Sequence, residues 1–192
     1  MINIRKRHIA KYIAIVLIFA LLILPVKTAA AASYNLNVSK CSQQNTNWCW
    51  VACAQMVGKY YNKSHTQSKI CNHVKGSVVN QAASLKEVTS AIRYATGNKH
   101  VLQCGVLKYD IFVSDMKSKK PLVLRMGWDA GGGHAYVVSG LKEASGPRLA
   151  DTLYLIDPIK GRASGYYSYS KLVNGITLAS GTGHYTNTWR IY

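Results

Sequence analysis

The chain has 192 residues, 48% of them hydrophobic, with 24 Lys and Arg against seven Asp and Glu, a formal net charge of +17. That length holds one domain with a sizeable core and excludes two comfortable ones. The cations are scattered, clustering only at Lys117-Ser118-Lys119-Lys120, and no aromatic stripe interleaves with them, which argues against a nucleic-acid groove.

Residues 1–32 read as an export signal. Arg5, Lys6, Arg7 and Lys11 form a basic start, Tyr12 to Leu24 is an unbroken apolar run, and Pro25 leads to Ala29-Ala30-Ala31-Ala32, small residues that suit signal peptidase. Cleavage is expected near Ala30 or Ala32. The run is too short for a spanning helix, so no stable membrane insertion is expected once the signal is gone. Residues 33–192 then form a single catalytic-sized domain, with no folded pro-domain ahead of it, exported to the extracellular side and behaving as a monomer. They carry nineteen Lys and Arg against seven Asp and Glu, a balance of +12, which suits an anionic setting such as a cell wall.

Five cysteines make an odd number, and in an exported chain that points to one free thiol, with Cys49 the candidate. Cys41, Cys53, Cys71 and Cys104 allow three pairings. Cys53 with Cys71 is preferred because it ties the first helix to the segment after it, leaving Cys41 with Cys104.

The first predicted helix opens at Trp48-Cys49-Trp50, from which Trp50, Ala54, Val57 and Tyr61 recur at helical spacing. Ser84-Leu85-Lys86-Glu87 is a capping-box pattern for a second helix ending near Gly97. Tyr109 to Lys117 forms a short third helix, stopped before Pro121. Strand texture follows at 122–126, 135–139 and 152–156, and the Gly, Ser and Tyr-rich tail from Gly161 adds further short strands. A helical half followed by an antiparallel half is an α+β fold.

Cys49 stands where the first helix begins, and the partial positive charge of a helix start favours thiolate, the nucleophilic form. Gln43, six residues upstream, supplies an amide donor. A thiolate needs a base and a group to orient that base. Of five histidines after the signal, only His134 follows a glycine run (Gly131-Gly132-Gly133) and precedes an apolar strand. Asp157 ends the next strand, before Pro158. The midpoint between His134 and Asp157 falls beside the Ser145-Gly146-Pro147 turn signal, so a hairpin folded there delivers imidazole and carboxylate to the same end. Bulges can shift that register by a residue or two. Asp129 competes with Asp157 as the orienting acid.

The blocks Gln43-Gln44-Asn45-Thr46-Asn47-Trp48-Cys49-Trp50-Val51-Ala52-Cys53, Gly132-Gly133-His134-Ala135-Tyr136-Val137-Val138 and Tyr154-Leu155-Ile156-Asp157-Pro158 resemble the three signature blocks of papain-like cysteine proteases. Within that superfamily they are most similar to the compact bacterial branch that includes the avirulence-effector proteases of plant pathogens, with double-glycine leader peptidases more distant. The resemblance implies a papain-like fold, a protein or peptide substrate and no cofactor or metal. It implies Cys49 as nucleophile, His134 as its ion-paired base and Asp157 in the orienting role. Gln43 has the family's spacing to supply a side-chain N–H to the oxyanion hole beside the Cys49 amide, with Gln44 one residue too close.

Two other readings compete. The same triad suits hydrolysis of cell-wall peptides or amides, since fold and triad fix the chemistry and not the acyl donor. Alternatively, Cys49-x3-Cys53 with Cys71-x-His73 supplies four ligands for a structural zinc in a non-catalytic binding protein.

Overall fold

The computed structural model describes residues 31–145 and 151–192. Residues 1–30 of the expected export signal 1–32, and Gly146 and Pro147 of the expected Ser145-Gly146-Pro147 turn, lie outside the described residues. In chain order the elements are β1 (Ser33–Asn35), α1 (Cys49–Tyr60), α2 (Gln67–Lys75), α3 (Leu85–Ala95), β2 (Val101–Cys104), α4 (Tyr109–Lys117), β3 (Leu122–Trp128), β4 (Gly133–Lys142), β5 (Thr152–Ile156), β6 (Gly165–Ser168), α5 (Tyr169–Asn174), β7 (Ile176–Leu178) and β8 (Gly181–Ile191). The fold is α+β, three helices ahead of an antiparallel sheet of order β2-β8-β3-β4-β5-β6, with β1 added to β4 and β7 to β8.

Both faces of the sheet are covered. Along β3 and β4 the side chains alternate between two cores: Val123, Ala135 and Val137 join α1 and α3, whereas Leu122, Leu124, Tyr136 and Val138 join α4 and α5. Double coverage is why these strands are apolar throughout instead of alternating with polar residues. Helix α1 is buried along most of its length, from Trp50 to Gly58. A helix apolar on every side belongs inside a protein, and α1 lies between the sheet and α3.

Helix α3 carries the expected capping box: Glu87 N–H donates to Ser84 Oγ at 3.4 Å, and Ser84 N–H to Glu87 Oε2 at 2.7 Å. Helix α4 has the expected bounds. Helix α2 was not expected. Its Thr66 cap and left-handed Gly76 at φ 76° are ordinary helix ends, but only Gln67, Ile70 and Cys71 are buried between them, too sparse a stripe to register as periodic. The tail corrects a second expectation: β8 is eleven residues long and sits inside the sheet between β2 and β3.

The disulfide expectation is also corrected, since all five thiols are free. Cys104 lies on β2 and pairs with Thr188, whereas Cys41 lies near the end of β5, where Gln43 N–H donates to Pro158 O. Four strand spacings of about 4.8 Å separate those positions, far beyond a disulfide's Cα reach of about 7 Å. Cys53 is sealed in the core, and Cys71 Sγ contacts Val79 O at 3.4 Å and Ser77 O at 3.6 Å. These thiols serve as small apolar side chains.

The approach of α1 to α3 depends on Gly58, where a Cβ would lie 2.5 Å from the Ala95 carbonyl oxygen. Helix propensity alone makes Gly58→Ala stabilising by about 1 kcal/mol. Contact with a backbone atom wins, so the substitution is expected to lower stability by about 1–2 kcal/mol net. A higher urea midpoint in the variant would contradict this packing.

Candidate active site

Cys49 is the first residue of α1. The first N–H groups of a helix have no carbonyl one turn back, so they present partial positive charge to a side chain there. The two indoles flanking Cys49 donate across to the segment before α3, Trp48 Nε1 to Val79 O at 2.7 Å and Trp50 Nε1 to Gln81 O at 3.1 Å. Asn47 adds its backbone N–H to Asn80 Oδ1 and its Nδ2 to Asn80 O. These bonds hold the segment against the start of α1. Its continuation, Ala82 and Ala83, walls a cleft of about 210 Å³ that Cys49, Arg125, Gly132 and His134 also line.

His134 is the second residue of β4. The preceding turn uses left-handed φ at Gly131 (93°) and Gly132 (79°), a conformation glycine adopts without Cβ strain. A Cβ on Gly133 would lie 2.4 Å from Met126 O, so only glycine lets this turn approach β3 so closely. Strand β5 returns beside β4 with Val137 opposite Ile156 and Val138 opposite Leu155, before a bulge sets Gly140 opposite Tyr154. Continuing that register one step puts Asp157 opposite Tyr136, diagonal to His134 instead of directly across. The diagonal suffices: His134 Nε2 lies 2.9 Å from Asp157 Oδ1, with both groups buried. Asp157 Oδ1 also accepts from Ile159 N–H at 2.9 Å. The Tyr136 ring stands edge-on to His134 with centroids 4.7 Å apart. With Nε2 committed to the carboxylate, Nδ1 is left for the Cys49 thiol, the imidazole's other hydrogen-bond partner.

Each of these groups would be neutralised by burial alone. Desolvation pushes the Cys49 thiol up, but the hydrogen bond and charge of His134 and the backbone N–H groups of Ala135 and Trp50 outweigh it, so its pKa falls below the ordinary value. Burial pulls His134 down, and hydrogen bonds to Asp157 and Cys49 overcome that and carry it up to about 9. Burial also opposes the Asp157 carboxylate, which is nonetheless held below its usual range by His134 and the Ile159 N–H. Cys53, one turn along α1 without such partners, is pushed well up by its burial. Environment thus moves two thiols of one helix in opposite directions, Cys49 toward the thiolate and Cys53 away from it.

Of the residues singled out by sequence, Cys49, His134 and Asp157 come together. Asp129 does not join them; it is exposed and its N–H bonds Thr182 O. Gln43 lies beside Asp157, its N–H on Pro158 O, but its Nε2 donates to Asn45 O and Thr46 O and its Oε1 is buried without a partner among the described residues. Gln44 is exposed, and its backbone N–H bonds Gln67 Oε1. The two tryptophan clamps and Arg125 were not expected, although the lone charge inside Leu122-Val123-Leu124-Arg125-Met126 is a visible signal.

Residues 31–173 match the family model described as papain-like cysteine protease AvrRpt2. No curated protein matches the chain. Among solved structures, a putative C39-like peptidase from Bacillus anthracis superposes with a TM-score of 0.58 at 13% identity, covering 84% of this chain and 98% of its own. The peptidase domain of Streptococcus ComA, a bi-functional ABC transporter of a quorum-sensing pathway, gives 0.52 at 15% identity, covering 80% and 98%. At these identities the two structures support the fold.

The electrostatics predict selective chemistry at one thiol. Iodoacetamide should alkylate Cys49 with a rate midpoint below the ~8.5 of a free cysteine, and His134→Ala should move that midpoint upward. A wild-type midpoint above pH 8 would contradict the ion pair.

Proposed function

The chain belongs to the papain-like cysteine proteases of the AvrRpt2 family, and from that premise we propose that it is an exported endopeptidase whose triad is Cys49, His134 and Asp157. Its class is that of a cysteine peptidase, acting on a protein or peptide. The observation that carries the assignment of roles is the juxtaposition in one cleft of the Cys49 thiol, at the start of α1, and the His134 imidazole, whose Nε2 lies 2.9 Å from Asp157 Oδ1.

In the proposed reaction the Cys49 thiolate attacks the scissile carbonyl carbon, and the resulting oxyanion is stabilised by the backbone N–H of Cys49. As the tetrahedral species collapses, the C–N bond breaks, the leaving amine takes the proton of the His134 imidazolium, and a thioester remains on Cys49. Water then adds to the thioester, passing a proton to His134, and the carboxylic acid departs as the thiolate re-forms. Asp157 holds the imidazole in the tautomer and orientation that both proton transfers need. Gln43 is the side-chain oxyanion donor in this reading; it takes that role by exchanging one of its N–H bonds to Asn45 or Thr46 for the substrate oxygen.

The basic start, apolar run and alanine cluster of residues 1–32 support export, with the domain beginning after them. The backbone N–H of Glu143 donates to Ala32 O at 2.8 Å, and β1 begins at Ser33. Cleavage after Ala30 retains that bond, whereas cleavage after Ala32 removes it. The mature enzyme acts as a monomer, and its +12 balance suits association with an anionic cell wall.

Cys49→Ala is expected to abolish peptide hydrolysis, and mass spectrometry of quenched wild-type enzyme should find an acyl adduct on Cys49. Undiminished cleavage by the variant would overturn the assignment. Gln43→Ala should lower kcat by ~100-fold with KM nearly unchanged; an unchanged kcat would restrict Gln43 to holding its loop. The activity profile should be bell-shaped: the acid limb reports loss of the thiolate, and the alkaline limb, near pH 9, loss of the His134 proton. Because the Asp157 contact raises the imidazole pKa, Asp157→Asn should shift the alkaline limb to lower pH, measured as kcat/KM against pH.

A further inference from the structure

We propose that Arg125 is a specificity residue that binds a carboxylate of the substrate within the cleft beside Cys49. The proposal rests on the reading of Cys49 as the peptidase nucleophile and deepens it by naming a substrate feature. Arg125 lies on β3, opposite Ala135 of β4 and Asn187 of β8. It lines the same cleft as Cys49 and His134. Trp50, Ala82, Ala83, Val88, Ala135 and Trp189 give the cleft apolar wall, and Thr46 and Asn47 are its neutral polar members.

The guanidinium is ordered by neutral acceptors alone. One terminal nitrogen donates to Thr186 Oγ1 at 2.9 Å and the other to the Gly132 carbonyl. Of its five N–H donors, two have partners among the described residues. Among the described residues no carboxylate pairs with Arg125, whereas Arg190 is gripped by both oxygens of Asp115 at 2.7 and 2.8 Å. An arginine that is half-buried, fixed in place and uncompensated is a pre-organised carboxylate receptor, because the planar fork matches a carboxylate and apolar walls strengthen the interaction. Anchoring to Gly132, two residues before His134, keeps the charge close to the reacting centre. The carboxylate has two sources: an Asp or Glu side chain near the scissile bond, or the free C-terminus of a short peptide.

The test compares blocked peptides that differ by Glu, Gln or Lys at one position, scanned across the scissile bond, together with matched peptides ending in a free carboxylate or an amide. Wild-type enzyme is expected to prefer Glu at a single position by about tenfold in kcat/KM. Arg125→Gln should reduce that ratio to near one, and Arg125→Glu should invert it in favour of Lys at the same position. A gain confined to the free C-terminus and erased by the same substitutions would assign the carboxylate to a chain end. The wild-type scan stands even if a variant fails to fold. No preference at any position, or a preference spread evenly along the peptide as the cationic surface alone would give, overturns the proposal. So does a ratio that Arg125→Gln leaves unchanged, which makes Arg125 only a pin for the glycine turn. If instead every peptide resists cleavage and Cys49→Ala labels as wild type does, the peptidase reading falls with it.

Discussion

Three ionisable side chains meet at one end of a sheet, and burial opposes the charged form of each. Cys49, His134 and Asp157 keep their charges because each supplies the opposite charge or the hydrogen bond that its neighbour needs. A sulfur anion against an imidazolium is stable there only while the carboxylate stays behind the ring. Removing the carboxylate leaves the imidazole to its desolvation, and without the imidazolium the thiol follows Cys53 toward the inert state. The chemistry proposed for this chain is therefore a property of the triplet and not of a single residue.

The fold can be understood as the scaffold for that triplet. A helix apolar on all sides needs burial on all sides, and α1 obtains it between the sheet and α3 with its first turn directed at the start of β4. The Trp-Cys-Trp sequence anchors Cys49 from both flanks, since each indole bonds a carbonyl of the segment that walls the cleft. On the sheet side, glycine at 133 lets β4 begin tight against β3, and the β4–β5 register brings Asp157 diagonally behind His134. Precision at the site thus comes from backbone positions well fixed by packing, as acid–base chemistry requires.

What the sequence made legible was carried by patterns with local physical causes. The capping box at Ser84 fixes the start of α3, and the apolar runs at 122–126 and 152–156 mark strands β3 and β5. A hairpin centred midway between His134 and Asp157 brings the right ends of the right strands together but lies about one residue too early, and Ser139 adds a bulge that no composition signal marks. Helix α2 escaped because its buried stripe is short, and β8 because Gly, Ser and Tyr disguise a strand whose placement between β2 and β3 is settled by long-range pairing. Counting cysteines misled because parity assumes that thiols seek each other, whereas the apolar core and nearby carbonyls accommodate these separately. Gln43 was legible as a neighbour of the site, but the direction of its amide depends on Asn45 and Thr46 carbonyls that only the folded loop brings near.

The central claim is that His134 carries a proton at neutral pH because Cys49 and Asp157 hold it there. Nitrogen NMR of the His134 ring across a pH titration of the resting enzyme reads this directly. The account predicts an imidazolium that persists through pH 7 and titrates near 9, falling to lower pH when Cys49 is replaced by Ser. A ring already neutral at pH 7, or one that titrates identically in the Cys49→Ser protein, would contradict it.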